Sequence, residues 1–235
     1  VMIQPLIYCD DCPSCQSGKE NLCYKMGIRG ENCQGINAEK IVVKDSTAIP
    51  FPNHLSSYEA AAFSLVAQTS YQMIVNRAKL RANEFIIIWG ASSGVGSMAI
   101  QIAKSLGASV IAISGSDEKC ENATKLGADY VLNYQSDDII KSVKKITNSK
   151  EANVVFEHVG SATWDLSMKI LAKGGRIVTC GATTGNDAKI NLTHLFFKQQ
   201  SILGSTMGSK SAFDGALQLL NDGKIIPVVD RIFPA

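Results

Sequence analysis

The chain has 235 residues, 46% of them hydrophobic and 19% charged, with Lys+Arg 23 against Asp+Glu 21 for a formal charge of +2. That is a globular composition with room for one large domain, or one domain and part of another, and it excludes a disordered or coiled-coil chain. The charges are spread rather than blocked, so no nucleic-acid or membrane-surface field is implied. No apolar stretch approaches the roughly 20 residues of a membrane span.

Residues 1–60 read as loop-rich. The opening Val1-Met2-Ile3-Gln4-Pro5 lacks the basic-then-apolar pattern of a secretion signal. A start at Val rather than Met leads us to expect further sequence outside this chain. Of the 7 cysteines, Cys9, Cys12, Cys15 and Cys23 cluster, while Cys33, Cys120 and Cys180 stand singly. Clustering of this kind in a large chain points to metal ligation in a reducing compartment, and so to cytoplasm, rather than to a disulfide framework. Four thiolates suit a closed, structural zinc tetrahedron. An iron–sulfur cluster is the competing metal, disfavoured because no Pro follows Cys23 and no second cluster motif occurs. A short strand is expected at Ile41-Val42-Val43, before Pro50 and Pro52.

From 61 to 207 strand and helix patterns alternate. Strands are expected at Phe85–Trp89, Ser109–Ser114, Tyr130–Asn133, Asn153–Glu157, Arg176–Cys180 and Ile202–Gly204. The first, second, fourth and fifth are nearly continuous apolar runs, as strands covered on both faces should be. Helices are expected from Val95 to Leu106, from Asp117 to Leu126, from Asp138 to Ile146 and from a Ser161 cap to Lys173. Gly107, Gly127 and Gly174-Gly175 serve as stops. Repeated β-α units predict an α/β fold with a doubly wound, mostly parallel, Rossmann-type sheet. In the tail, 208–235, a helix carrying Phe213, Leu217 and Leu220 precedes a strand expected at Ile225–Val229.

After the first strand of the alternating region comes Gly90-Ala91-Ser92-Ser93-Gly94-Val95-Gly96, opening directly into a helix. Strand, tight turn and helix N-terminus form the context of a dinucleotide-binding loop. Bare glycines there admit the pyrophosphate and let the helix pack on the sheet. The N–H groups and dipole at the helix start favour phosphate charge. A plain tight turn is the bland alternative. At the end of the second strand an NAD site usually carries a carboxylate. Here Ser114, Ser116 and Lys119 stand instead, which suits the 2′-phosphate of NADP(H). Ser116 as a mere helix cap, with Asp117 and Glu118 complementing the dipole, is the alternative.

The cysteine spacing, Glu59-Ala60-Ala61-Ala62, Thr69, the Gly90–Gly96 loop and Lys125-Leu126-Gly127-Ala128-Asp129 together resemble the medium-chain dehydrogenase/reductase superfamily. So do Phe156-Glu157-His158-Val159-Gly160, Gly174-Gly175-Arg176-Ile177-Val178 and Ile202-Leu203-Gly204-Ser205-Thr206-Met207. The match is closest to the zinc-type alcohol dehydrogenase branch. The resemblance implies a Rossmann domain (61–207), part of a GroES-like catalytic domain with a zinc lobe (1–60) and a return segment (208–235). It implies cofactor contacts at Thr69, Ala91, Ser92, Ser93, Gly94, Val95, Gly96, Ser114, Ser116, Lys119, Tyr134, Val159, Gly160, Gly181, Ala182, Ser205 and Thr206. The metal ligands would be Cys9, Cys12, Cys15 and Cys23.

In the family, a segment ahead of the cysteine lobe supplies a Cys and a His to a catalytic zinc, and another segment follows the last strand seen here. The third catalytic ligand should fall just before Thr69, where Ser64-Leu65-Val66-Ala67-Gln68 offers none. That departure pulls toward the zinc-independent enone and quinone reductases of the superfamily, and a Tyr at 134 fits near their 2′-phosphate. Catalytic residues are therefore left unassigned.

His158, at a strand end, reads as a hydrogen-bonded structural residue before a functional one. His54 and His194 are weaker candidates. Cys33, Cys120 and Cys180 read as small buried hydrophobes, Lys144-Lys145 as a solvated face, and Trp164 and Phe196-Phe197 as packing. The resulting expectation is an oxidoreductase passing hydride between NADP(H), or NAD, and a small alcohol, aldehyde or ketone. Its rivals are a zinc-independent enone or quinone reductase and a non-catalytic nucleotide-binding zinc protein. Small-molecule substrate, no nucleic acid, no membrane, and a homo-oligomer (dimer or tetramer) by resemblance complete the expectation.

Overall fold

The computed structural model describes residues 1–233. Ahead of the main sheet lie two short antiparallel pairs. Strand β1 (Met2–Ile3) pairs with β4 (Ala48–Ile49), and β2 (Leu6–Ile7) pairs with β3 (Gly27–Ile28). The turn of helix α1 (Pro13–Gln16) lies between β2 and β3.

Helix α2 (Ser57–Tyr71) begins at a full capping box: Ser56 Oγ accepts from Glu59 N, and the Glu59 carboxylate accepts from Ser56 N at 2.8 Å. It runs on as a π-turn over Gln72–Arg77. Six parallel strands follow: β5 (Phe85–Trp89), β6 (Ser109–Ser114), β7 (Tyr130–Asn133), β8 (Ala152–Glu157), β9 (Leu171–Thr179) and β10 (Ser201–Gly204). Between and after them come α3 (Gly94–Ser105), α4 (Asp117–Lys125), α5 (Ile139–Ile146), α6 (Ser161–Lys169), α7 (Leu192–Phe197) and α8 (Lys210–Asn221).

The spatial order is β10-β9-β8-β5-β6-β7. Counted from the first strand of this sheet, that is the order 3-2-1-4-5-6 read from the other edge, with its switch point between β5 and β8. The continuous apolar runs are explained by two buried faces. Ile86, Ile88, Val110, Ala112, Val154 and Phe156 pack toward Phe63 of α2, Met98 and Ile102 of α3 and Phe213 of α8. The alternate residues Ile87, Ile111, Ile113, Val155 and Ile177 pack toward Ile139 and Val143 of α5 and Trp164 and Met168 of α6. The period-2 pleat thus sends one strand's neighbours to opposite helical layers.

Several expectations are corrected. Ile41–Val43 forms no strand; Val42 is 95% exposed, and β1 pairs with Ala48–Ile49 instead. Ile225–Val229 forms no strand; at Ile226 the Gln101 side chain takes the backbone, Ile226 N donating to Gln101 Oε1 at 2.8 Å and Gln101 Nε2 to Ile226 O at 3.0 Å. The helix expected to Lys173 stops at Lys169, and residues 171–173 enter β9. Gly174, at φ +68°, lies where the β8–β9 register shifts rather than at a helix end. Gly160, not Ser161, is the N-cap residue of α6, and the Ser161 hydroxyl donates to Asp187 O at 2.6 Å. Cys33 is exposed, and Phe196 and Phe197, at 64% and 74% exposure, are not core residues; their rings pack on each other at the surface, with centroids 4.9 Å apart. Gly107 and Gly127 do close α3 and α4 with positive φ.

Candidate dinucleotide and metal sites

Four thiols converge. The sulfurs of Cys9, Cys12, Cys15 and Cys23 all lie within 4.8 Å of one another. Cys9–Cys15 is 3.9 Å, Cys12–Cys15 3.5 Å and Cys9–Cys23 3.5 Å. These separations are too long for disulfides. They match the edge of about 3.8 Å that a tetrahedron of ~2.3 Å zinc–sulfur bonds requires. Backbone N–H groups of Cys12 and Asp11 lower the Cys9 pKa to about 6, whereas burial, with Cys12 beside it, pushes the Cys15 thiol up to about 12. Ionising Cys15 beside a Cys9 thiolate would need a cation. The donor set fits a structural zinc.

Two hydrogen bonds tie the lobe to the segment from β10 into α8. Asn21 Nδ2 donates to Thr206 O at 3.0 Å, and Glu20 Oε2 accepts from Lys210 N, at the start of α8, at 3.0 Å.

The remaining candidates collect along one edge. The C-terminal ends of the strands are Trp89, Ser114, Asn133, Glu157, Thr179 and Gly204. Immediately after them come the 90–96 loop, Ser116 and Lys119, Tyr134, Val159 and Gly160, Gly181 and Ala182, and Ser205 and Thr206. That edge, at the switch point, is where open α/β sheets bind ligands. Thr69 arrives from α2, which packs along α3; Ser70 Oγ donates to Val95 O at 2.9 Å.

Within the loop, Gly90 takes φ +56° and Ser93 caps α3, its Oγ accepting from Gly96 N at 3.0 Å. A β-carbon at Gly96 would collide with the Gly90 carbonyl oxygen and lie 2.9 Å from Ala91 Cα. The absence of a side chain there sets the tightness of the turn. At Gly94 a β-carbon would lie 2.8 Å from Val66 Cγ1. This glycine therefore lets α2 close on α3, a role that the sequence motif alone did not reveal.

Ser114 is 2% exposed and its hydroxyl has no hydrogen-bond partner. A buried polar group left unpaired is costly unless a ligand satisfies it. Ser116 caps α4 by accepting from Lys119 N at 3.3 Å, while the Lys119 side chain is exposed. The Tyr134 hydroxyl lies over Gly115, 2.5 Å from where a β-carbon would stand. Ser205 Oγ is a second buried hydroxyl without a partner. A mostly apolar cavity of about 590 Å³ opens beside Gly90, Tyr134, Ile139, Val159 and Leu166. The pair of lone hydroxyls, the free helix start and the cavity fit a dinucleotide laid across the strand ends.

His158 follows β8, with Nε2 3.0 Å from Trp89 O and 3.3 Å from Ser93 Oγ. Burial lowers its pKa. Glu157 is buried and accepts from Val159 N at 2.6 Å, Thr163 Oγ1 at 2.8 Å and Ser167 Oγ at 3.0 Å. It organises the turn that carries Val159 and Gly160, and sequence reasoning had given it no role. Gln68, in the window without a metal ligand, is buried and donates to Gly208 O at 2.7 Å and Ser209 O at 3.1 Å. Cys9, Cys12, Cys15 and Cys23 form the only cluster of three or more His, Cys, Asp or Glu ligands among the described residues.

A family profile described as zinc-binding dehydrogenase matches residues 94–222, more than half of the chain. The chain belongs to the zinc-binding dehydrogenase family. Among curated relatives of this family member, an NAD-dependent alcohol dehydrogenase of Sulfurisphaera tokodaii is 33% identical over 223 residues. The match covers 94% of this chain and 64% of that protein. An acryloyl-coenzyme A reductase of the same organism is 33% identical over 227 residues, covering 95% and 66%. A crystal structure of an NAD-dependent alcohol dehydrogenase superposes with TM-score 0.92 at 40% identity, covering 96% of this chain and 66% of that one. This dehydrogenase-family chain thus spans between 48% and 66% of the length of the curated relatives it matches.

Proposed function

We propose that the chain is the cofactor-binding part of an NAD(P)-dependent oxidoreductase that moves hydride between NADP(H) and a small alcohol, aldehyde or ketone. The observation that carries this reading is the convergence of the capped Ser93–Gly96 helix start with the unpartnered, buried Ser114 hydroxyl on one edge of the sheet. Bound there, the dinucleotide would supply the hydride.

The chain's own residues bind and orient. The first N–H groups of α3 and the Ser93 hydroxyl would receive the diphosphate. Ser114, Ser116 and Lys119 would hold the 2′-phosphate, with no carboxylate at Ser114 to repel it. Ser205, Thr206, Gly181, Ala182, Val159 and Gly160 would flank the reactive half, and Thr69 would face it from α2. Cys9, Cys12, Cys15 and Cys23 would hold a structural zinc whose part is to fix the lobe against Thr206. The clustering of Cys9, Cys12, Cys15 and Cys23 as metal-type ligands supports a reducing, cytoplasmic setting. Among the described residues no helix is long and apolar enough to cross a membrane.

A second reading, reduction of an activated carbon–carbon double bond, is favoured by one observation. Ser64–Gln68 carries no catalytic metal ligand, and Gln68 is committed to Gly208 and Ser209. Oxidation of NADPH with panels of aldehydes and of enones or enoyl thioesters, using the full-length zinc-loaded protein, separates the two. Aldehyde turnover supports the first and enone turnover the second. Turnover of neither panel, with NADPH still bound, would leave a nucleotide-binding zinc protein without catalysis.

A further inference from the structure

The His158 ring nitrogen Nε2 lies 3.0 Å from the Trp89 carbonyl oxygen. A carbonyl can only accept, so Nε2 must carry the proton. The same nitrogen is 3.3 Å from Ser93 Oγ, which places the serine oxygen as a second acceptor of that N–H. Ser93 Oγ already accepts from Gly96 N at 3.0 Å. A hydroxyl has two lone pairs and one proton. With both lone pairs engaged, what remains is the O–H, a donor at the start of α3.

The ring is fixed in this role from several sides. A β-carbon on Gly90 would lie 2.8 Å from His158 Cε1, so the left-handed turn at Gly90 is packed directly on the imidazole. Phe156 meets the ring edge-on, with centroids 6.0 Å apart. The contact joins the ends of β5 and β8, the two strands that flank the switch point.

We propose that His158 is a positioning residue for the diphosphate. By donating Nε2–H to the Trp89 carbonyl and the Ser93 oxygen, it fixes the turn and leaves the Ser93 O–H to be given to a diphosphate oxygen. This rests on the dinucleotide reading of the site and deepens it. Without the imidazole donor, one lone pair of the Ser93 oxygen is freed, its O–H is no longer held toward the diphosphate, and the anion loses a donor without any change in α3. The burial-lowered pKa agrees with a neutral ring in which the assigned tautomer persists at neutral pH.

The test is a double-mutant cycle on NADPH and NADH affinity, measured by calorimetry on the full-length zinc-loaded protein. Ser93→Ala and His158→Leu should each weaken binding about tenfold, the loss of one donor to an anion. The double variant should be no weaker than either single one. His158→Gln, which restores an N–H at a similar reach, should recover most of the affinity, a rescue that a purely structural histidine does not predict. If His158→Leu fails to fold, His158→Phe keeps the ring packing without the donor and takes its place in the cycle. Additive losses, full affinity in the donorless variant, or no rescue by Gln would overturn the inference while leaving the dinucleotide reading intact. Failure of the parent protein to bind either nucleotide would instead remove that reading.

Discussion

At the scale of single residues, the proposed preference for NADP(H) rests on Ser114. It stands at the last position of β6, 2% exposed, with an unpartnered hydroxyl. An acidic side chain there would repel a 2′-phosphate, and the exposed Lys119 one turn away can pair with it. A hydrogen bond to a charged group contributes about 1.5–3 kcal/mol, and solvent screening at Lys119 places its share at the low end. Ser114→Asp should therefore shift preference toward NADH by at least tenfold, and Lys119→Ala should weaken NADPH about tenfold while leaving NADH unchanged. Equal effects on both nucleotides would show that these are helix-start residues only. His158 makes a second prediction. Burial holds its folded pKa below the usual 6.5. Below that pH the unfolded chain takes up a proton that the folded chain does not, so stability is full above 6.5 and declines as pH falls. Urea unfolding between pH 5 and 7 should show a shallower acid-side decline in His158→Gln than in the parent, and parallel curves would contradict the assignment. The Ser114 position and the glycine loop were legible in the sequence because they sit at fixed offsets from strongly apolar strands. The contact of His158 with Ser93 and Trp89 was not, because it joins chain segments that meet only once the sheet is assembled.

At the scale of elements, the turn from β5 into α3 is set by backbone contact. Gly96→Ala would drive its β-carbon into the Gly90 carbonyl, and overpacking against backbone costs about 3 kcal/mol. The variant should melt at lower temperature and lose NADPH binding together; unchanged melting with intact binding would disprove the tight-turn account. Gly94→Val acts differently, because its side chain meets Val66 and pushes α2 away from α3. Lost affinity in that variant would report displaced helices as well as a blocked phosphate. Four of the five β-α alternations were readable because both faces of the sheet are covered, giving long apolar runs, and because glycines stop α3 and α4; the short α7, capped by Asn191, was not read as a helix. The strand at Ile41–Val43 and the tail strand were misread for a shared reason. Apolar content alone does not supply a ladder partner, and in the tail the Gln101 side chain satisfies the backbone instead. Ser161 resembled a cap by type, yet its hydroxyl is spent on Asp187 and Gly160 turns the chain with φ +93°.

At the scale of the whole molecule, the cysteine lobe, the sheet and α8 are mechanically connected. Asn21 holds Thr206, and Glu20 holds the first turn of α8. Cys12→Ser should abolish stoichiometric zinc and speed hydrogen exchange across residues 5–30. The loss should spread to Thr206 and the start of α8 and leave β5, β6 and β8 protected. Iron in the parent protein, or a folded reduced lobe without metal, would contradict the zinc assignment. The exposed Ile190, Leu192, Phe196 and Phe197 offer apolar surface for the homo-oligomer that the family resemblance implies, and sedimentation at the mass of one chain would remove that expectation. The central claim is that the C-terminal edge of the sheet binds a nicotinamide dinucleotide. Calorimetric titration of the zinc-loaded protein with NADPH and with NADH tests it most directly. The account predicts one site per chain, NADPH the tighter by at least tenfold, and that preference reversed or abolished in Ser114→Asp. Absence of saturable binding by either nucleotide would contradict it.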